Sequence, residues 1–169
     1  MQRVGLWAFL FVCAFSQAGC DGDTPAGLGL PPSSDDDVAD EEFQEAVLTR
    51  VNAFRSEARQ CGAQVFPAAD PVAWSDRLTS VARAHSRDMA RHNFFSHTGS
   101  DGLGPDERLT AAGYRWQFVA ENLAAGQPTV EIAIMSWIDS PGHCANLMQP
   151  LVREIGVARA VDGGSDYKI

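Results

Sequence analysis

A chain of 169 residues, 45% of them hydrophobic, has the length of one domain plus a tail and enough apolar content for a packed core. Acids outnumber bases 22 to 13, which gives a formal net charge of −9 and a pI near 4.7. Lys and Arg form no cluster, so nucleic acid is excluded as an expected partner, because phosphate binding needs grouped cations.

The first 19 residues read as an export signal. Arg3 precedes an apolar run over residues 4–15 that is too short to span a bilayer, and small residues follow it up to Cys20. Ala18-Gly19-Cys20 resembles the end of a bacterial lipobox, in which the cysteine is acylated and becomes the mature N-terminus. Gln17 stands where that pattern usually has leucine, and ordinary cleavage near Ala18 is the alternative. Either route places the protein outside the cytoplasm, as a membrane-anchored lipoprotein or a secreted chain. Residues 20–42 are rich in Pro, Gly, Ser and Asp, and they predict a flexible acidic linker rather than a metal site.

The folded part is expected over residues 43–169. Phe43, Val47, Val51, Phe54 and Ala58 recur at helical spacing and predict one amphipathic helix ending before Cys61-Gly62. A second helix follows Trp74, capped by Ser75, with Leu78, Val81, Ala82, His85 and Met89 on its apolar face. His85 in that stripe reads as a hydrogen-bonded core histidine rather than a ligand, and His92 as an exposed residue near the helix end. Residues 93–104 form a loop around His97. Residues 105–112 form a short helix that Pro105 opens and Gly113 stops. An extended segment over residues 114–123 carries Glu121, and a helix spans 128–139 with Val130, Ile134, Trp137 and Ile138 on one side. Ser140-Pro141 begins a short helix holding His143 and Cys144, and residues 154–161 make a last strand. Helices mixed with a few strands, without a regular βαβ rhythm, point to a layered α+β fold.

With Cys13 in the signal and Cys20 at the acylation position, Cys61 and Cys144 remain for the domain. In an oxidising compartment they are one disulfide or two separate buried thiols.

Three residues bear chemistry. His97 lies in an accessible Ser-His-Thr-Gly loop, as a ligand, a proton carrier or the brace of a turn. Glu121 ends a largely apolar run, where a buried carboxylate needs backbone donors or a cation. His143 sits in the first turn of a helix, whose positive end disfavours protonation and leaves a neutral imidazole suited to a metal.

Their flanks are more specific than the residues themselves. Over residues 45–161 the chain presents in order Asn52 and Arg55 in VNAFR, Asp88-Met89-Ala90, FFSHTG around His97, and Asp101-Gly102. Arg108, Ala112-Gly113-Tyr114, Glu121-Asn122-Leu123 and Gly126 come next. Trp137, Ser140-Pro141-Gly142-His143, Asn146 and Ile155-Gly156-Val157 complete the series. This order resembles the bacterial secreted form of the CAP superfamily (cysteine-rich secretory, antigen 5 and pathogenesis-related-1 proteins, the SCP domain). The resemblance implies a three-layer α-β-α sandwich with a central antiparallel sheet. It implies a cavity lined by His97, Glu121 and His143, in which the two histidines hold a divalent metal such as zinc.

Two positions depart from that pattern. Many members place a glutamate three residues after the tryptophan matching Trp137; here the residue is Ser140, with Asp139 beside it and Glu154 as a second substitute. The chain also stops at Tyr167-Lys168-Ile169, where relatives usually continue through a closing strand.

Three readings remain open, one of them that the polar trio only stabilises the core of an envelope protein. The resemblance carries binding of lipids in some members and of partner proteins in others, which makes an envelope-displayed, monomeric binding module the leading expectation. No Ser or Cys nucleophile with an orienting base is evident. The alternative is a metal-dependent hydrolase using His97, His143 and Glu121 around an open water position, although no HExxH helix is present.

Overall fold

The computed structural model describes Leu6–Cys13 and residues 34–160, with side chains from residue 41 onward. Strand β1 is Leu6–Cys13, and helix α1 runs from Ser34 to Arg55. The short strands β2 (Arg59–Cys61), β3 (Gln64–Phe66) and β4 (Ala73–Trp74) precede α2 (Asp76–His92). Then come α3 (Pro105–Ala111), β5 (Phe118–Ala125), α4 (Val130–Ile138), α5 (Pro141–Met148) and β6 (Glu154–Ala160).

The sheet has the order β4-β6-β1-β5. β1 is antiparallel to both β5 and β6, whereas the two-residue β4 runs parallel to β6, so the expected antiparallel sheet carries one parallel edge. Alternate residues of the strands face different helical layers. Ile155 and Val157 of β6 meet Val47, Val51, Ile134, Trp137 and Leu147 from α1, α4 and α5. Ala158 and Leu123 meet Leu78, Ala82, Met89 and Leu109 from α2 and α3. The result is the three-layer α-β-α sandwich.

Several expectations shift at their edges. Helix α1 begins at Ser34, inside the segment expected to be linker. Its opening run of aspartates suits the positive end of a helix dipole, a local effect that a reading by overall composition misses. It stops at Arg55, short of Ala58, because residues 59–66 turn into a two-stranded hairpin. The extended segment with Glu121 starts at Phe118 rather than residue 114. Part of the expected export signal, Leu6–Cys13, lies between β5 and β6 as an inner strand. An apolar run of that length suits a signal core and a doubly covered strand alike. Cys20 and Tyr167-Lys168-Ile169 fall outside the described residues. Among the described residues, no helix is long and apolar enough to cross a membrane.

Asn52 and Arg55 are fold anchors. Asn52 exchanges two hydrogen bonds with the backbone of Val72, at 2.8 and 3.1 Å. The fully buried Arg55 donates to the carbonyls of Asp70, Leu147, Gln149 and Val152, tying α1 to the C-terminal end of α5. Burial, with Arg153 nearby, lowers its pKa to about 10, which leaves it charged at neutral pH. Cys61 and Cys144 form a disulfide that joins the hairpin to α5.

Gly156 is where β6 and α2 touch most closely. A Cβ there would lie 2.2 Å from the Thr79 nitrogen and 2.3 Å from the Leu78 carbonyl carbon, both backbone atoms of α2. Gly156→Ala should therefore cost about 3 kcal/mol, the upper end of the overpacking range, since a helix rather than a side chain must yield. A urea midpoint unchanged by the substitution would refute that close approach.

Candidate functional site

The site lies at the edge of the sheet. β5 is an edge strand, and consecutive residues on it engage opposite layers. Glu121 turns toward the α2–α3 layer, where one oxygen accepts from His97 Nδ1 at 2.7 Å and the other from an Arg108 terminal nitrogen at 2.7 Å. Asn122 turns toward the other layer and donates to the His143 carbonyl at 3.1 Å, while Asn146 of α5 donates to the Asn122 side chain at 2.8 Å. Thus β5 draws a loop histidine from one layer and a helix histidine from the other to one rim.

The loop carrying His97 is held at several points. Arg108 of α3 donates to the His97 and Leu103 carbonyls, both at 2.8 Å. Asp88 of α2 accepts from the Ser100 N–H at 2.8 Å and the Ser100 hydroxyl at 2.5 Å. Burial pushes the Asp88 carboxyl up, but these bonds and His92 outweigh it, and the net shift is downward. The expected exposure of His92 holds, with its ring bonded to Asp88 at 2.8 Å.

The three expected residues differ in surroundings. The Glu121 side chain is 1% exposed, that of Arg108 9% and that of His97 54%. A carboxylate so enclosed is held by its two partners, the Arg108 guanidinium and the His97 ring. Because His97 Nδ1 faces Glu121, its Nε2 is the nitrogen left for a ligand. His143 is half-buried, and burial followed by the neighbouring His97 lowers its pKa, so it stays neutral below the usual histidine range. Imidazole nitrogens suit a divalent ion, but among the described residues no third His, Cys, Asp or Glu joins the two histidines. Asp139 is exposed at the end of α4, and Glu154 accepts a hydrogen bond from the Tyr114 hydroxyl.

His85 occupies the core, as its place in the apolar stripe predicts. Its Nε2–H donates to the Ser96 carbonyl at 2.9 Å, and its Nδ1 is buried without a partner. Burial, then Arg108, lowers its pKa, against smaller raising effects of Glu121, Ser96 and Asp88. Its folded pKa is below the unfolded value of about 6.5, so the unfolded chain takes up the proton first as pH falls. Stability from His85 and His143 is therefore complete above about pH 6.5 and declines on acidification from there toward their folded pKa values. Urea unfolding between pH 7.5 and 5 should show this decline, with a shallower slope in His85→Gln. An equal slope in both would remove His85 as its source.

Sequence reasoning missed Arg108 as the charge partner of Glu121 and Asn122 as the tie to His143. The signal for the first was available in principle, since a carboxylate in an apolar run requires a cation. Which of the 13 Lys and Arg supplies it depends on how α3 packs against β5.

The family model described as the cysteine-rich secretory protein family, CAP, matches residues 48–169. An extracellular protein from Bacillus anthracis containing an SCP domain has a similar structure, with TM-score 0.61 and 26% identity, covering 75% of this chain and 40% of that one. The uncharacterized Bacillus subtilis protein YkwD is 32% identical over 93 residues, 55% of this chain and 36% of its own length. The uncharacterized B. subtilis membrane protein YlbC is 30% identical over 84 residues, 50% of this chain and 24% of its own. The chain thus spans well under half the length of these relatives. An extracellular structural neighbour and a disulfide are together consistent with an extracytoplasmic setting.

Proposed function

This chain belongs to the CAP family of cysteine-rich secretory proteins, and from that premise we propose that it is an extracytoplasmic binding module whose ligand enters the cavity of His97, Glu121 and His143. The ligand class is a lipid-like or other cell-envelope molecule, with a divalent ion such as zinc held by His97 and His143. The observation that carries this reading is the use of both Glu121 oxygens on His97 and Arg108. Glu121 then acts as an orienting acceptor, which fixes the His97 tautomer and leaves Nε2 for coordination. A bound ion would supply a coordination point for an oxygen or nitrogen of the ligand. The half-exposed His97 gives access, and the Asn122–Asn146 pair keeps the His143 turn in place. Hydrolysis would require Glu121 to leave His97 or Arg108 before serving as ligand or base, so binding is the better-supported activity.

Zinc calorimetry on the full chain tests this. Saturable binding near 1:1 is expected, lost in a folded His97→Ala/His143→Ala variant. Absence of binding by the folded wild type would overturn the metal part and direct the search to lipid ligands alone. Binding together with peptide or ester hydrolysis would favour the hydrolase.

The proposal includes export and acylation of Cys20. Cleavage there would withdraw β1 from between β5 and β6, and another strand would have to cover them. The mass of the protein recovered from the envelope decides this point. A chain starting at acylated Cys20 supports the anchor; one retaining residues 1–19 assigns Leu6–Cys13 to the sheet and removes the anchor.

A further inference from the structure

His97 stands in a run of exposed residues, 95–98, that belongs to no helix or strand, yet its backbone is held on both sides. The Ser96 carbonyl accepts from His85 Nε2–H of α2 at 2.9 Å, and the His97 carbonyl accepts from Arg108 of α3 at 2.8 Å. Each peptide unit is planar, so a fixed carbonyl fixes the whole unit. The units before and after the His97 Cα are therefore both clamped, which leaves its φ and ψ little freedom. Glu121 of β5 then sets the ring through Nδ1. Three elements thus place one half-exposed side chain.

His85 is a costly residue for its position on α2. It is 1% exposed, its Nδ1 is buried without a partner, and Phe94 packs against the ring edge-on at 6.3 Å. A buried polar atom without a bond destabilises a core, and an apolar side chain of similar size avoids that cost. The rest of the stripe is Leu78, Val81, Ala82 and Met89, so a second methionine would serve the packing at least as well. Ser96 is exposed, so its carbonyl can turn to water when His85 is replaced. Core stability therefore does not account for the imidazole, whereas its bond to the loop does.

We propose that His85 is a positioning residue for the candidate ligand site: it holds the Ser96–His97 peptide and so fixes where His97 Nε2 points. The proposal rests on the reading of His97 as a ligand-holding residue and gives the buried face of α2 a part in binding. Asp88, three residues further along that helix, fastens Ser100 through its N–H and hydroxyl. Helix α2 thus grips the loop on both sides of His97.

The test compares wild type, His85→Met and His85→Gln on the full chain at pH 7.5, where burial keeps the His85 ring neutral. The glutamine amide donates from about the place of Nε2, so this variant keeps the clamp. Without metal, NMR reads how fast the His97 Nδ1 proton exchanges with water. Exchange should be about tenfold faster in His85→Met and close to wild type in His85→Gln. The thermal midpoint of His85→Met should stay or rise. Zinc calorimetry should show about tenfold weaker affinity in His85→Met, recovered in His85→Gln. Unchanged exchange in His85→Met, or equally fast exchange in both variants, would overturn the proposal. So would a midpoint that falls in step with the faster exchange, because the ring would then only support the core. A wild type that binds no zinc would overturn the metal reading instead, and the metal-free exchange rates would still decide the role of His85.

Discussion

Replacing Cys61 and Cys144 together by alanine is expected to lower stability by about 4.5 kcal/mol, the chain-entropy value for a closed loop of 83 residues. Stabilities of domains this size are about 5–15 kcal/mol, so the loss removes roughly 30–90% of the total. Both sulfurs lie in a small core with Phe66 and Met148, which makes the truncation a packing loss as well. The disulfide also fastens the N-terminal half of α5, and His143 directly precedes Cys144. A weaker zinc affinity should therefore accompany the lower stability. Urea unfolding with and without reductant measures the first effect, and calorimetry below the unfolding transition measures the second. A midpoint indifferent to reductant would show that the bridge contributes nothing to the folded state.

Glu121→Ala is expected to cost about 3–5 kcal/mol, because it leaves the Arg108 guanidinium buried without its counter-charge. Arg108 Nε already lacks a partner, so little slack exists to absorb a second loss. The milder Glu121→Gln keeps an acceptor oxygen for Arg108 but turns a donating NH2 toward His97 Nδ1, which reverses that hydrogen bond, and the variant should fold. In that variant zinc affinity should fall about 10–100-fold, as it does when an acceptor behind a ligating histidine is altered. Pairing Glu121→Leu with Arg108→Met should recover most of the stability, since an apolar pair replaces a buried ionic one with little net cost. Full zinc affinity in Glu121→Gln would mean that Glu121 does not orient His97.

Much of the helical layer was legible from periodicity. The α2 stripe of Leu78, Val81, Ala82, His85 and Met89 is buried, Ser75 caps it, and Gly113 stops α3 with a φ of 69°. Those features depend on neighbours three or four residues apart, which a sequence displays directly. The hairpin over residues 59–66 was not legible, because its three-residue strands are too short to establish an alternating pattern. Nor could the position of Leu6–Cys13 be read, because an apolar run does not name the surface that will cover it.

By itself the sequence determined the residue types of the candidate site, the cysteine pair and the family to which their order belongs. Motifs preserve local backbone geometry and side-chain chemistry, and both are written in short stretches. Only the tertiary structure decided that Glu121 is shared between His97 and Arg108, and that β5 presents Glu121 and Asn122 to opposite layers. These contacts join residues 13 to 24 positions apart, and their energies depend on burial and orientation that appear only once the layers have packed.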